Sequence, residues 1–381
     1  MTAMTRPTVG SVSEARLYVA FELGKKHWKL AVTSGFGVPT VVRTVASRDL
    51  AAVARVLAEA RVRLGVPAAA PVVSCYEAGR DGFWIHRALR QLGIANRVVD
   101  SASIEVNRRK RRTKTDRVDA LKLVSMLVRV CLGEKHVWQE VRVPSVGDEA
   151  ARQVSRERTA LTQEQTRLRN QINSYLATWG CVVSGRTRRV PEWWTTVRDW
   201  TAAALPLEVQ ARIARSEARL AVVAEQIAMI ETEQRSATRA APPDSALGRL
   251  VQLKSIATTS AAVLLGEGLV WRDFQNRRQI GGLLGFAPTK YDSGETTRDQ
   301  GISRAGNPRL QSVSIQLAWS WVRWQPASRL TRWFKDHFGV RKRERRVGIV
   351  AVARKLIIAL WRYVTRGVVP EGAILKTASR G

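Results

Sequence analysis

The sequence predicts an N-terminal α/β domain, a central pair of long helices and a mostly α-helical C-terminal domain. Short apolar runs rich in β-forming residues alternate with helical patterns as far as residue 145. Apolar residues then recur with the seven-residue periodicity of a coiled coil over two long stretches. Helical patterns dominate the remainder of the chain. We therefore predict three domains, which cover residues 1–145, 146–243 and 244–381.

The predicted N-terminal domain begins with three strands, and further strands then alternate with helices. A Gly-Lys-Lys-His segment separates the first two apolar runs and indicates a hairpin. Ser47 is the expected N-cap of the first helix. The predicted strands cover residues 17–23, 28–33, 39–45, 71–77 and 94–100, and the predicted helices cover 49–65, 81–93 and 117–130. This element order is that of an RNase H-like α/β domain.

The central region carries two amphipathic patterns. Val154, Leu161, Leu168 and Tyr175 lie seven residues apart, and a second a/d pattern runs from Leu220 to Ile230. Glycine and proline residues interrupt the chain between them. The region is therefore expected to form a coiled-coil hairpin or a dimerising arm.

The charge balance points to a polyanionic partner. The 381 residues include 63 Lys and Arg against 32 Asp and Glu, which gives a net charge of +31. A hydrophobic content of 45% excludes global disorder. Nucleic acid is the leading partner, because cationic side chains neutralise phosphates. Because there is neither an apolar run long enough to span a membrane nor a signal-peptide pattern, we expect a cytoplasmic protein without membrane contact.

Metal chemistry is suggested by four carboxylates in the predicted α/β domain. Glu22 lies on the first strand, Glu77 ends the fourth, and Asp116 and Asp119 share one face at the start of a helix. Four converging carboxylates require cations, and oxygen ligands suit Mg²⁺ or Mn²⁺. The alternative is that these are four surface acids among 32.

Two basic segments could contact phosphates. Seven of the eleven residues 107–117 are Lys or Arg, and they directly precede the paired aspartates. The candidate nucleic-acid contacts in this run are Arg108, Arg109, Lys110, Arg111, Arg112 and Lys114. In the second segment, Ser293 is followed by Arg298, Arg304 and Asn307, so that a flexible basic loop could present a serine nucleophile. Taken alone, Ser293-Gly294 is more typical of a simple turn.

In order along the chain, these motifs resemble those of the DEDD-type transposases of insertion sequences, which use a serine and an element-encoded guide RNA. The matching segments are ELGKKHWKLA, CYEAGRDGFWIHRAL, RVVDSASIEVNRRKRRTKTDRVDALKL, GLLGFAPTKYDSGETTRDQGISRAGNPRL and RRVGIVAVARKLIIALWRY. They cover both ends of the chain and leave the central helices without a matching motif.

The resemblance implies a RuvC-like N-terminal domain in which an Asp-Glu-Asp-Asp set binds Mg²⁺. In this sequence that set corresponds to Glu22, Glu77, Asp116 and Asp119, so Glu22 departs from the usual aspartate. The resemblance also implies a serine nucleophile, which best matches Ser293. Thr296 stands where some members carry another serine. The active site is expected to combine the two domains from different subunits.

The sequence therefore predicts an RNA-guided DNA transposase that forms a transient phosphoserine bond. Its expected partners are the element ends, the target DNA, an element-encoded guide RNA and further copies of itself in a dimer or tetramer. As a bacterial protein it is expected to associate with the nucleoid. The alternatives are a metal-dependent junction endonuclease, in which Ser293 is only structural, and a non-catalytic nucleic-acid-binding protein.

Overall fold

The computed structural model describes residues 15–104, 115–135, 137–293, 296–303, 306–338 and 341–376. The chain divides into two compact units, Met1–Val143 and Pro144–Gly381. The division into three domains with boundaries at 145 and 243 stays a prediction. Among the described residues, no helix is long and apolar enough to cross a bilayer.

A five-stranded mixed sheet forms the centre of the first unit. Its strands are β1 (Leu17–Leu23), β2 (His27–Thr33), β3 (Val41–Ala46), β4 (Val72–Glu77) and β5 (Ala95–Val99). Their order in the sheet is β3-β2-β1-β4-β5. The first three strands are antiparallel, whereas β4 is parallel to both β1 and β5. The predicted α/β character and the β1–β2 hairpin are thus confirmed.

Helices cover both faces of this sheet, namely α1 (Leu50–Leu64), α2 (Trp84–Gln91) and α3 (Asp116–Cys131). Apolar residues of α1 and α2 pack against one face, and those of α3 pack against the other. Strand β1 is therefore buried on both sides, which explains why its sequence LYVAFEL is almost continuously apolar. The interior of the sheet is thus fixed between two layers of helices.

The first helix begins two residues later than Ser47 would require. Asp49 is its N-cap, and its Oδ1 accepts a hydrogen bond from the backbone N–H of Ala52 at 2.8 Å. Ser47 instead donates its hydroxyl to the carbonyl oxygen of Lys25 at 3.0 Å. The backbone between them turns at Arg48, whose φ is +70°. The expectation of a Ser47 cap was therefore wrong, because the chain must still turn before the helix can start.

Asp49→Ala is expected to lower the free energy of unfolding by about 1 kcal/mol, because the first turn loses its cap. Ser47→Ala serves as the matched control and is expected to change stability by less than about 0.5 kcal/mol. Urea titration followed by circular dichroism measures both. A larger loss in the Ser47 variant would contradict the assignment of the cap.

The second unit begins with two long helices, α4 (Val146–Thr178) and α5 (Leu207–Ala240), which pack against each other. Leu168 and Ile172 of α4 and Val223 and Ile230 of α5 are buried, as the apolar pattern predicts. The segment between the helices folds over their ends, where Trp193 is buried. The two predicted long helices are confirmed, whereas coiled-coil packing stays a prediction.

The rest of this unit surrounds one apolar core. Its elements are α6 (Ala246–Gln252), α7 (Thr258–Gly266), α8 (Arg277–Leu283), β6 (Pro288–Ser293), β7 (Thr296–Ile302), α9 (Pro308–Trp324), α10 (Arg329–Phe338) and α11 (Lys342–Arg366). Strands β6 and β7 are antiparallel, so the stretch interpreted as a flexible loop contains a hairpin. Threonine, tyrosine and isoleucine in this stretch favour strands and outweigh its glycines.

Candidate functional site

The structure places Glu22 and Glu77 at adjacent strand ends. Strands β1 and β4 are parallel, and Phe21 is paired with Tyr76. Glu22 and Glu77 each follow directly, so they are neighbours at the carboxyl edge of the sheet, where strands lie about 4.8 Å apart. Both residues line one cavity of about 260 Å³. The sequence-predicted carboxylates of the two strands are thus brought together.

Both glutamates belong to the face of the sheet that α3 covers. Ala20 of β1 and Cys75 of β4 pack in the cluster that contains the buried residues of α3. Side chains alternate between the two faces along a strand, so residues two positions further on share that face. Glu22 and Glu77 are those residues.

Helix α3 runs antiparallel to β1, so its first turn lies toward the same edge. The end of α3 lies near the start of β1, because Cys131 is close enough to Tyr18 to raise the pKa of the Tyr18 hydroxyl in addition to the larger effect of burial. Midway along α3, the carbonyl oxygen of Leu123 accepts a hydrogen bond from the Cys75 thiol at 3.9 Å. The first turn of α3, which carries Asp116 and Asp119, therefore points toward the edge of Glu22 and Glu77.

The two aspartates are also explained by the helix itself. Thr115 caps α3, and its side-chain oxygen accepts a hydrogen bond from the backbone N–H of Val118. Acidic residues in a first turn interact favourably with the helix dipole. Asp116 is exposed and Asp119 is half-buried. Their position thus suits both helix capping and a role at the sheet edge.

The chemistry of the donors at the cavity fits Mg²⁺, which binds through one or two carboxylates and keeps water or phosphate oxygens as further ligands. Over the described ranges, no group of three or more His, Cys, Asp or Glu side chains is arranged to hold a metal ion. Asp116 and Asp119 do not line the cavity. The four-carboxylate site therefore stays a prediction.

The cavity also contains an acid that sequence reasoning missed. Asp81 is half-buried, lines the cavity and forms an ion pair with Arg80 at 3.1 Å. Its signal in the sequence was its place in the glycine-flanked turn directly after β4, where side chains reach the strand ends. Arg80 lines the same cavity, so both charge signs are present there.

Several of the predicted nucleic-acid contacts lie outside the described residues. These are Arg108, Arg109, Lys110, Arg111, Arg112 and Lys114, together with Arg304. The backbone of Ser293 is described and ends β6, where it is paired with Thr296 of β7. Arg298 pairs with Tyr291 in the same hairpin. The roles predicted for these side chains stay predictions.

Asn307 is held by contacts within the protein. It is the N-cap of α9, and its Oδ1 accepts hydrogen bonds from the backbone N–H groups of Arg309 and Leu310 at 3.0 and 3.2 Å. Its Nδ2 donates to Oε2 of Glu267 at 2.8 Å. Both ends of the amide are therefore used, and contact with nucleic acid stays a prediction.

Sequence reasoning also missed a buried ion pair beside Asn307. Glu267 is 0% exposed at the end of α7, and Arg156 of α4 donates from Nε and Nη2 to its two oxygens at 2.9 and 3.0 Å. Burial raises the pKa of Glu267, but hydrogen bonds from Arg156 and Asn307 outweigh it, so the pKa lies below its ordinary value. The only sequence signal was one acid that closes the apolar run AAVLLG.

Comparison with known proteins covers nearly the whole chain. Residues 248–332, which include the β6–β7 hairpin, match the model of the family described as Transposase IS116/IS110/IS902. A putative transposase, y4rJ of Sinorhizobium fredii, is 40% identical over an alignment of 394 positions that covers 97% of this chain and 97% of that protein. A second putative transposase of that organism, y4qE, is 28% identical, and the match covers 76% of this chain and 74% of that protein. The transposase for insertion sequence element IS1328 of Yersinia enterocolitica is 26% identical, and the match covers 56% of this chain and 62% of that protein.

Proposed function

The chain belongs to the IS116/IS110/IS902 family of transposases, and we propose that it cleaves and rejoins DNA strands through a covalent bond between Ser293 and DNA phosphate. The observation that carries the proposal is the arrangement of Glu22 and Glu77 at neighbouring strand ends, together with a serine-bearing hairpin inside the family-matched segment. The β3-β2-β1-β4-β5 order supports a RuvC-like assignment for the first unit.

In the proposed reaction, the Ser293 hydroxyl oxygen attacks a DNA phosphorus and loses its proton. The sugar oxygen that leaves this phosphorus takes up a proton. One phosphorus–oxygen bond forms as another breaks, so the energy of the phosphodiester is retained in the phosphoserine. A sugar hydroxyl of another strand then attacks the same phosphorus and releases the serine. The exchange therefore requires no ATP.

The acidic edge of the first unit would hold Mg²⁺, with Mn²⁺ as a substitute. Glu22 and Glu77, with Asp116 and Asp119 from the start of α3, are the proposed ligands. When bound, the metal supplies charge stabilisation for phosphoryl transfer. The protein's own contribution is rigidity, because both glutamates extend from strands that are buried within the sheet.

Guide RNA and further copies of this chain are the proposed partners besides the element ends and target DNA. The net charge of +31 supports binding of two polyanions. The long helices α4 and α5 offer surfaces for assembly, and a site shared between subunits would require at least a dimer. Sequencing the RNA that co-purifies with the expressed protein tests the first partner, and light scattering tests the second.

The covalent step is tested with a nicked DNA substrate. Its short leaving strand diffuses away after cleavage, so the reverse reaction is prevented and the adduct accumulates. We expect a protein–DNA band that survives denaturation and disappears after protease treatment. Cleavage without such a band would favour a hydrolytic junction endonuclease. Binding without cleavage, in the presence of the co-purified RNA and Mg²⁺, would favour a non-catalytic nucleic-acid-binding protein.

The basic run before α3 is expected to bind phosphates. Charge reversal of Arg109 and Arg111 together should weaken nucleic-acid binding and reduce the slope of log affinity against log salt by about 2, since each phosphate contact contributes roughly 0.9. Reversal of the exposed Arg63 and Arg90 makes the same change in net charge and serves as the control. An equal loss of slope in both variants would show that only net charge matters.

A further inference from the structure

The β6–β7 hairpin is anchored where it leaves β7. The backbone N–H of Ser303 donates to the carbonyl oxygen of Ala287 at 2.9 Å, and that of Asn307 donates to Leu283 at 2.8 Å. At Gly306 a Cβ atom would lie 2.3 Å from the backbone nitrogen of Gly285, so the chain passes too close to α8 for any side chain. The contacts of Gly306 and Asn307 therefore hold the chain that follows the hairpin against the end of α8.

The identity of Asn307 is set by two simultaneous requirements. As an N-cap it must accept hydrogen bonds from α9, a role that aspartate or serine fills equally well. It must also donate to Glu267, for which aspartate lacks a donor and serine is too short to keep both contacts. Only an amide of this length meets both requirements.

The partner of this amide is costly to bury. Glu267 is 0% exposed, and its charge is compensated by the two hydrogen bonds from Arg156 and one from Asn307. Buried ion pairs contribute little net stability compared with apolar residues of similar volume. Their directional hydrogen bonds do, however, fix the position of the groups that they join. The arrangement is therefore better suited to positioning than to stabilisation.

We propose that Glu267 is a positioning residue for the hairpin that carries Ser293. Arg156 orients the Glu267 carboxylate. This carboxylate holds the Asn307 amide and thereby restrains the chain that follows the C-terminal end of β7. The inference rests on the proposed function for its link to catalysis. The anchoring itself does not depend on which group is the nucleophile.

Asn307→Asp is the sharpest variant, because it keeps the cap and replaces the donor to Glu267 by an oxygen. We expect amide hydrogen exchange in residues 296–303 to increase about tenfold as the anchor opens. Adduct formation at saturating DNA should fall about tenfold, while DNA affinity stays within about twofold, because positioning affects the reacting geometry rather than binding.

Glu231→Gln is the matched control. Glu231 pairs with Arg158, which lies on α4 near Arg156, but this ion pair joins α4 to α5 and does not involve Asn307. It is expected to leave both readouts unchanged. Unchanged exchange in Asn307→Asp, or losses of equal size in Glu231→Gln, would overturn the proposal. If the unsubstituted protein forms no adduct, the proposed function fails, and hydrogen exchange still decides whether Glu267 anchors the hairpin.

Discussion

Ser293→Ala is expected to abolish strand joining and the covalent adduct while it preserves the fold and nucleic-acid binding. The substitution removes only the hydroxyl, and a mechanism that has lost its nucleophile is slowed by on the order of 10⁴-fold or more. Ser293 ends β6, where its backbone is already paired with Thr296, so alanine fits the strand. The measurements are adduct formation on nicked DNA, thermal unfolding and DNA affinity. Ser293→Cys should retain a small fraction of activity, because a thiolate is nucleophilic but larger.

Ser303→Ala is the control for this assignment. Ser303 is half-buried, and its backbone bond to Ala287 does not need the hydroxyl. The N-cap of the next helix, α9, is Asn307 and not Ser303. Loss of activity in Ser303→Ala alone would keep the mechanism and move the nucleophile. Recombination at the normal rate in Ser293→Ala would rule out the proposed mechanism.

Removal of one carboxylate charge at the sheet edge is the second large effect that we expect. Glu22→Gln, Glu77→Gln, Asp116→Asn and Asp119→Asn each preserve side-chain volume, and each should lower the rate of strand cleavage roughly 10²–10³-fold, as loss of one charge-stabilising group does. Nucleic-acid binding should persist, since affinity comes from cationic residues. Cleavage at saturating DNA and affinity are measured separately.

Asp81→Asn is the informative comparison, because Asp81 lines the same cavity but is not among the predicted ligands. It should cost less than either glutamate variant, since Arg80 already neutralises part of its charge. A loss as large as that of Glu77→Gln would place Asp81 in the ligand set. Normal cleavage by both glutamate variants would contradict a metal site at this edge.

Local sequence patterns predicted the sheet and the long helices well. Strands β1, β2 and β4 are apolar runs bounded by turn residues, and their predicted limits agree with the structure to within one residue. The adjacency of Glu22 and Glu77 followed from element order, because the edge of a parallel pair collects the ends of both strands. The pattern of apolar residues thus predicts the strands, and the order of the elements predicts which strand ends are adjacent.

The remaining features depend on contacts between distant segments. Arg156 and Glu267 are 111 residues apart, and no periodicity in either helix indicates that they meet. The contact between the Asn307 amide and Glu267 joins residues 40 positions apart and likewise has no signal in the sequence. The cap at Asp49 was missed for a local reason, since the left-handed turn at Arg48 shifts the helix start.

The residue after Asn307 has a consequence for the chemical durability of the protein. Asparagine side chains deamidate when the next backbone nitrogen attacks the amide carbon to form a succinimide. Pro308 follows Asn307 at the start of α9, and its nitrogen carries no hydrogen, so this attack is blocked. Spontaneous conversion to aspartate would set a second carboxylate against Glu267. The proline that begins the helix therefore also protects the amide against ageing.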